Sequence, residues 1–228
     1  MNSTEKTVVN QIMVAEKIDE CVEKSKIKAY DFIKRGIDLI IGTIGMMICL
    51  PFFLIIAILI KIDSRGPVFF KHKRIGKYGK DLYIYKFRTM VDNAEDEINN
   101  FTQEQKKEFE ENYKLENDPR VTRIGKILRK TSIDELPQII NILKGEMAII
   151  GPRPVVKDEL EKYGKNKNKF LSIAPGLTGY WAANGRSDVS YEERMAMELY
   201  YIDNRSLLLD LKIFFKTIGS VLTGRGAR

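Results

Sequence analysis

One uncharged run, Leu39–Ile60, constrains this chain more than any other feature. At ~20 residues it is long enough to span a bilayer, and Asp38 stands immediately before it. Pro51 interrupts it. Proline has no backbone donor, and its ring pushes the preceding residue, here Leu50, away from helical angles. The run is therefore expected to divide into two arms, Leu39–Leu50 and Pro51–Ile60. At ~1.5 Å per residue each arm reaches roughly 15–18 Å, about half of a ~30 Å hydrocarbon core. Lys34 and Arg35 precede the run, and Lys61, Arg65, Lys71, Lys73, Arg74 and Lys77 follow it. A spanning helix carries its lysine and arginine excess on one side only. Positive charge on both flanks fits a bent, re-entrant helix that enters and leaves through one face. A kinked spanning helix and a buried core helix are the alternatives.

The rest of the chain is ordinary domain material. Of 228 residues 44% are hydrophobic and 30% charged, enough apolar surface for a core and too much charge for a membrane-filling bundle. The formal net charge of +7 suits phosphate-bearing partners. The two cysteines, Cys21 and Cys49, make neither a disulfide framework nor a metal knuckle. The single histidine, His72, excludes a multi-histidine metal site. Acid–base or nucleophilic work must then fall mainly to carboxylates, Lys, Tyr, Ser or Thr.

Patterning divides the chain into residues 1–33, a tail or weak helix; 34–62, the membrane-embedded helical hairpin; and 63–228, a single cytosolic domain. Gly66–Phe70 and Leu82–Phe87 read as short strands, and Met147–Ile150 as a buried one. Asp92–Glu116 reads as a solvated helix, Val121–Lys130 and Ile133–Leu143 as amphipathic helices, and Tyr191–Tyr201 as another. Leu207–Leu222 carries Leu208, Leu211, Phe215, Ile218 and Leu222 on one face, suited to closing the core or lying among lipid headgroups. The fold class is α+β, predominantly helical.

Several short motifs carry candidate chemistry. Asp134-Glu135 follows Arg129 and Lys130. Ser132-x-x-Glu135 fits a capping box, in which Glu135 satisfies a backbone donor at a helix start. In a field of cations the same carboxylates would stay ionised and serve as nucleophile or magnesium ligand. Gly151-Pro152-Arg153-Pro154 is a rigid turn displaying one guanidinium, whose planar fork matches a phosphate. Lys86 and Arg88 fall on one strand face, with Phe87 turned away. Each motif alone also fits an ordinary turn or strand edge, and Tyr180 and Trp181 fit core or interfacial aromatics.

Their order is more specific than any one of them. Lys34-Arg35-Gly36-Ile37-Asp38, the proline-broken apolar run, Gly66-Pro67-Val68-Phe69-Phe70 and Lys86-Phe87-Arg88-Thr89-Met90 come first. Asn117-Asp118-Pro119-Arg120, Ser132-Ile133-Asp134-Glu135-Leu136-Pro137-Gln138, Gly151-Pro152-Arg153-Pro154, Pro175-Gly176-Leu177-Thr178-Gly179 and Leu208-Leu209-Asp210-Leu211-Lys212 follow. From Lys34 onward the chain resembles the bacterial sugar transferases, the monotopic phosphoglycosyl transferases that start glycan assembly on polyprenol phosphate.

That resemblance implies an enzyme moving a sugar 1-phosphate from a UDP-sugar to polyprenol (undecaprenyl) phosphate, with release of UMP. It implies Asp134 as the attacking carboxylate that carries a covalent phosphosugar intermediate, and Glu135 beside it, the two holding Mg²⁺, with activation of the acceptor phosphate as the alternative role of Glu135. Lys86, Arg88, Arg129, Arg153, Pro154, Arg186 and Glu198 fall at the expected substrate-binding positions. Glu198 stands where some members carry aspartate, and Leu50 where some carry a small polar residue. The implied place is the bacterial inner membrane, with the catalytic domain facing the cytoplasm and touching membrane lipids and downstream glycosyltransferases. The implied pathways are exopolysaccharide, capsule or glycoconjugate assembly. The segment from Trp181 to Glu193 resembles members that handle plain hexoses more than acetamido sugars. A non-catalytic membrane adaptor is the competing reading, although it has no need of Asp134-Glu135. Nucleic-acid binding has only net charge behind it and no recognised motif.

Overall fold

The computed structural model describes residues 3–112, 115, 117–185 and 189–223. It opens on one helix, α1 (Ser3–Asp63). A hairpin follows, β1 (Phe69–Ile75) paired antiparallel with β2 (Asp81–Phe87). Next come α2 (Gln103–Asn112), α3 (Arg123–Lys130), a 3₁₀ turn at Ile133–Gln138, α4 (Ile139–Lys144) and β3 (Ala148–Ile150). Then come α5 (Lys157–Glu161), α6 (Lys167–Phe170), β4 (Gly176–Thr178), α7 (Tyr180–Asn184), α8 (Tyr191–Asn204) and α9 (Leu207–Thr223). β4 lies parallel to β3. The architecture is α+β and mainly helical, as the sequence pattern implies.

The helix α1 differs from expectation in two ways. It runs unbroken through the 33/34 boundary, so the residues read as a tail or weak helix continue the apolar run. It also continues through Pro51, so no break separates the two arms. A proline deletes one helical hydrogen bond and bends a helix without necessarily ending it. Here Pro51 is on the exposed side, and packing on the opposite side holds both halves in one helix. That packing is a single stripe at helical spacing. Asp38 accepts the Ile149 N–H at 3.1 Å. Gly42 lies against Ile142 and Leu143, and Gly45 against Ile139. Met46, Cys49, Phe53, Ile56 and Ile60 pack with Phe87 and Leu128. Asp63 accepts the Ile124 N–H at 2.9 Å, neutralising a free donor at the start of α3. The rest of the segment is open: Ile40, Met47, Ile48, Leu54 and Ile58 are exposed. An apolar face of this length on a domain surface marks a membrane contact.

Further polar contacts tie α1 to the domain. The Arg35 guanidinium donates to the carbonyls of Ile142 and Leu143 at 2.6 and 2.9 Å, closing the end of α4. The Tyr30 and Tyr201 hydroxyls both donate to Asp210, at 2.8 and 2.7 Å. Lys34 lies 3.3 Å from the same carboxylate. Helix α9 resolves the choice left by its sequence. Ile213 is buried in the core, whereas Leu208, Leu211, Phe215 and Ile218 are exposed. Its apolar stripe therefore faces outward, and the helix closes the core with other residues, among them Leu209 and Phe214.

The main core gathers Leu82 and Ile84 of β2, Ile149 and Ile150 of β3, Tyr201 and Ile202 of α8, and Ile213 of α9. Three local expectations shift. The first strand begins at Phe69, not Gly66, and extends through Lys71-His72-Lys73-Arg74 to Ile75. The polar stretch after Asp92 holds a 3₁₀ turn, Asp96–Asn100, and only then α2, with Phe101 buried between them. The helix read over Ile133–Leu143 is a 3₁₀ turn followed by α4.

Glycines allow β3 and β4 to meet closely. A Cβ at Gly176 would lie 2.1 Å from the Gly151 nitrogen and 2.4 Å from the Thr178 carbonyl oxygen. Both obstacles are backbone, so they cannot swing aside. Gly176→Ala is expected to cost about 2–4 kcal/mol through overpacking. A melting temperature equal to wild type would contradict this account of the strand pair.

Candidate active site

The β-hairpin, the 3₁₀ turn, the end of β3 and helices α3, α7 and α8 enclose a cleft of about 1140 Å³. Seven cations line it, Arg74, Lys86, Lys126, Arg129, Lys130, Arg153 and Arg194, against the carboxylates Asp118 and Glu135. Such an excess in a concave site attracts polyanions.

The carboxylate pair stands at its edge. Ser132 adopts a left-handed conformation (φ 56°), and its side chain caps nothing. The capping box that fits Ser132-x-x-Glu135 is therefore not formed. Glu135 instead accepts a hydrogen bond from the Lys86 ammonium at 2.6 Å, 49 residues away in sequence. Burial pushes the Asp134 carboxyl above its ordinary value, and the neighbouring Glu135 adds to this. The charges of Lys86 and Arg129 oppose that rise. Arg129 is fixed by a 2.9 Å hydrogen bond from its Nε to the Thr89 hydroxyl. Asp134, Glu135, Lys86 and Arg129 thus form one constellation drawn from three elements.

The other expected residues separate. Arg153 and Pro154 line the cleft, and Arg153 lies 5.7 Å over the Trp181 ring. Glu198 does not reach the cleft surface. It is buried behind the Gly-Pro-Arg-Pro turn, accepting the Arg153 N–H at 3.0 Å and the Tyr163 hydroxyl. Its bond to the Arg153 N–H holds that turn in place. Burial raises its carboxyl, which the Tyr163 hydrogen bond counters. Arg88 is also buried and turned elsewhere. It donates to the carbonyls of Arg65 and Ser64 and so closes the end of α1. The strand ends at Phe87, so the alternation that would pair Arg88 with Lys86 stops there. Arg186 falls outside the described residues.

Sequence reading missed Arg74, Lys126 and Arg194 as cleft residues. Arg74 was legible only as a flanking charge, and Arg194 as one charge in a helix. Nothing local to either signals the partner that brings them together, Glu159.

Among the described residues no three His, Cys, Asp or Glu side chains cluster as a dedicated metal cage. Asp134 and Glu135 do fit the other common mode for a hard cation, one or two carboxylates completed by substrate phosphate oxygens.

A cation-rich cleft with a paired carboxylate, on a domain seated along an exposed apolar helix, defines a membrane-associated protein built for phosphate esters. The chain belongs to the bacterial sugar transferase family, whose sequence profile matches residues 29–224. It is 45% identical over 197 residues to the exopolysaccharide production protein ExoY of Sinorhizobium fredii, covering 85% of this chain and 87% of that protein. The undecaprenyl-phosphate galactose phosphotransferase of Salmonella typhimurium is 40% identical over 199 residues, 86% of this chain and 42% of that longer protein. The UDP-N-acetylgalactosamine-undecaprenyl-phosphate N-acetylgalactosaminephosphotransferase of Aeromonas hydrophila is 41% identical over 206 residues, 87% of this chain and 46% of that protein.

Proposed function

We propose that this protein transfers a sugar 1-phosphate from a UDP-sugar to a polyprenol phosphate, undecaprenyl phosphate in the bacterial inner membrane. The observation that carries the reading is Asp134-Glu135 set against Lys86 and Arg129 at the edge of a strongly cationic cleft. The names of the Salmonella and Aeromonas relatives support the same substrates.

In this reading an Asp134 oxygen attacks the β-phosphorus of the UDP-sugar. The bond from that phosphorus to the bridging oxygen breaks, and UMP leaves with the electron pair. A phosphate oxygen of the lipid then attacks the same phosphorus and frees the Asp134 carboxylate. This is covalent catalysis by an activated carboxylate. Lys86 and Arg129 hold their charge where phosphate oxygens would gather, and Lys86 keeps Glu135 in place. Mg²⁺, held by Asp134 and Glu135, would supply further neutralisation of phosphate charge. A plain hexose is the proposed sugar.

The seating of α1 supports a placement in which the apolar segment lies along the domain with both of its ends on one side of the membrane, the cytoplasmic side in this reading. Asp38 and Asp63 bracket the apolar segment, and both bind the same domain. A crossing helix would carry one of them ~30 Å away, through the hydrocarbon core.

The test is UMP release with a panel of UDP-sugars, Mg²⁺ and undecaprenyl phosphate. Lipid-linked product with at least one sugar is expected. No UMP with any sugar nucleotide would favour the adaptor reading. A pH profile adds a second check. The nucleophile must be ionised, and burial raises the pH at which Asp134 ionises. The acidic limb of kcat should therefore fall at higher pH than for an exposed aspartate, whose ordinary value is about 3.9. A flat profile down to that pH would contradict the assignment.

A further inference from the structure

The β-hairpin has two faces, and only one lines the cleft, through Arg74, Ile84 and Lys86. Phe69, Lys71 and Lys73 of β1 stand opposite Phe87, Tyr85 and Tyr83 of β2. By strand alternation these six share the other face. They form three cross-strand pairs with different surroundings. Phe69 stacks on Phe87 at 5.4 Å, and Phe87 meets Phe53 of α1 edge-on at 5.0 Å. The first pair is thus part of the seat of the apolar helix. Lys71 and Tyr85 come next, roughly 7 Å along the sheet. The Tyr85 hydroxyl accepts a 3.0 Å hydrogen bond from Lys144, the last residue of α4. That helix also packs on α1, with Leu143 against Gly42 and Ile139 against Gly45. Lys71, Tyr85 and Lys144 therefore border the apolar helix from two elements that both support it.

The two lysines of this β1 face differ in their partners. Lys73 is closed by Asp81 at 2.7 Å. Among the described residues neither Lys71 nor Lys144 forms an ion pair, and both are exposed. They flank one ring instead, 5.5 and 4.7 Å from the centre of Tyr85. The neighbouring carboxylate is Glu146, which accepts from the Asn141 amide at 2.7 Å. Arg35, beside Gly145, gives its donors to carbonyls and adds a third positive charge. Three cations thus face one carboxylate. The Lys144 hydrogen bond, with the charges of Lys144 and Lys71, holds the Tyr85 hydroxyl below its ordinary value, opposed by Glu146. The exposed apolar face of α1 sets where hydrocarbon ends. Groups bordering it lie at headgroup level, where tyrosine and lysine are favoured and anionic lipid attracts positive charge.

We propose that Lys71, Lys144 and Tyr85 form a headgroup site for an anionic membrane lipid, its phosphate held between the two ammonium groups beside the Tyr85 ring. The site is separate from the cleft, because Tyr85 and Lys86 project to opposite faces of β2. A lipid bound there would pin the hairpin to the membrane surface without occupying the place of either substrate.

Lipid binding is measured with no sugar nucleotide present, so its outcome is separate from that of the transfer assay. The full chain in detergent, given equal amounts of phosphatidylglycerol and phosphatidylcholine, is read by native mass spectrometry. Phosphatidylglycerol is expected to be retained in preference. Lys71→Gln and Lys144→Gln should each lower that preference by about fivefold, the worth of one lysine at an anionic surface. Lys73→Gln removes the same charge from the same face and should leave the preference unchanged, because Lys73 is already paired. Equal retention of both lipids by wild type would overturn the site. So would an equal loss in all three variants, which would mean diffuse surface charge. Displacement of phosphatidylglycerol by inorganic phosphate would make this a free-phosphate site and overturn the lipid assignment. A second measurement needs no variant. Acetylation of wild type in vesicles, mapped by mass spectrometry, should be slower at Lys71 and Lys144 in phosphatidylglycerol than in phosphatidylcholine, relative to Lys73. Equal relative rates in the two vesicles would also overturn the site.

Discussion

Asp134→Asn should abolish sugar-phosphate transfer, with kcat lower by about 10⁴-fold or more, the scale seen when a covalent nucleophile is removed. A carboxamide matches the carboxylate in shape but is not a nucleophile at phosphorus. Lys86, Arg129 and the rest of the cleft remain, so nucleotide affinity should survive. The variant should also stay folded, and the sign of this follows from burial. Burial raises the Asp134 carboxyl above its unfolded value. Such a group binds its proton more tightly in the folded state, so folded stability declines as pH rises through that range. At neutral pH the ionised Asp134 therefore weakens the fold, and Asn, which is neutral, should melt at the same temperature or higher. Labelled UDP-sugar without acceptor gives the direct check. Wild type should retain label on the protein, and the variant none. Full activity in the variant would remove Asp134 from its role.

The second large effect concerns stability. Asp210 accepts from the hydroxyls of Tyr30 and Tyr201 and pairs with Lys34. Burial, together with the Asp210 charge, pushes both phenols far above their ordinary range, so they act only as neutral donors. Asp210→Ala would leave two buried hydroxyls and an ammonium without their acceptor. Removing one partner of a buried charged network costs about 3–5 kcal/mol, or about 6–20 °C in melting temperature for a chain of this size. Asp210→Asn keeps one acceptor oxygen and should cost less than half as much. Thermal melts of the three proteins in one detergent decide it, and an alanine variant that melts like wild type would show that the network does not hold α1 down.

What the sequence made legible follows from where each signal resides. Helices α3, α8 and α9 declare themselves through apolar spacing within one segment. Strand β1 does not, because Lys71, His72, Lys73 and Arg74 give it no apolar alternation; its place comes from pairing with β2. Burial and the cations Arg74, Lys86 and Arg153 hold His72 down to about 4, so it stays uncharged among them. The 132–135 segment obeys a local capping pattern that a distant lysine overrides. Lys86 and Arg88 look equivalent in sequence, yet one faces the cleft and the other seals a helix end. The Asp134-Glu135 pair and Arg153 were readable because ordered motifs carried them. Arg74 and Arg194 were not, since only the tertiary fold makes them neighbours.

The stripe along α1 has a consequence for how this protein can be handled. Phe53 and Ile60 are core residues, Asp38 and Asp63 satisfy backbone donors of β3 and α3, and Arg35 closes α4. Deleting the membrane segment would therefore strip Phe87 and Leu128 of their covering and orphan those donors. No soluble fragment comparable to the intact domain should come from trimming the anchor. The anchor is the domain's own floor: its inner face completes the core, and its outer face is what lipid or detergent must cover.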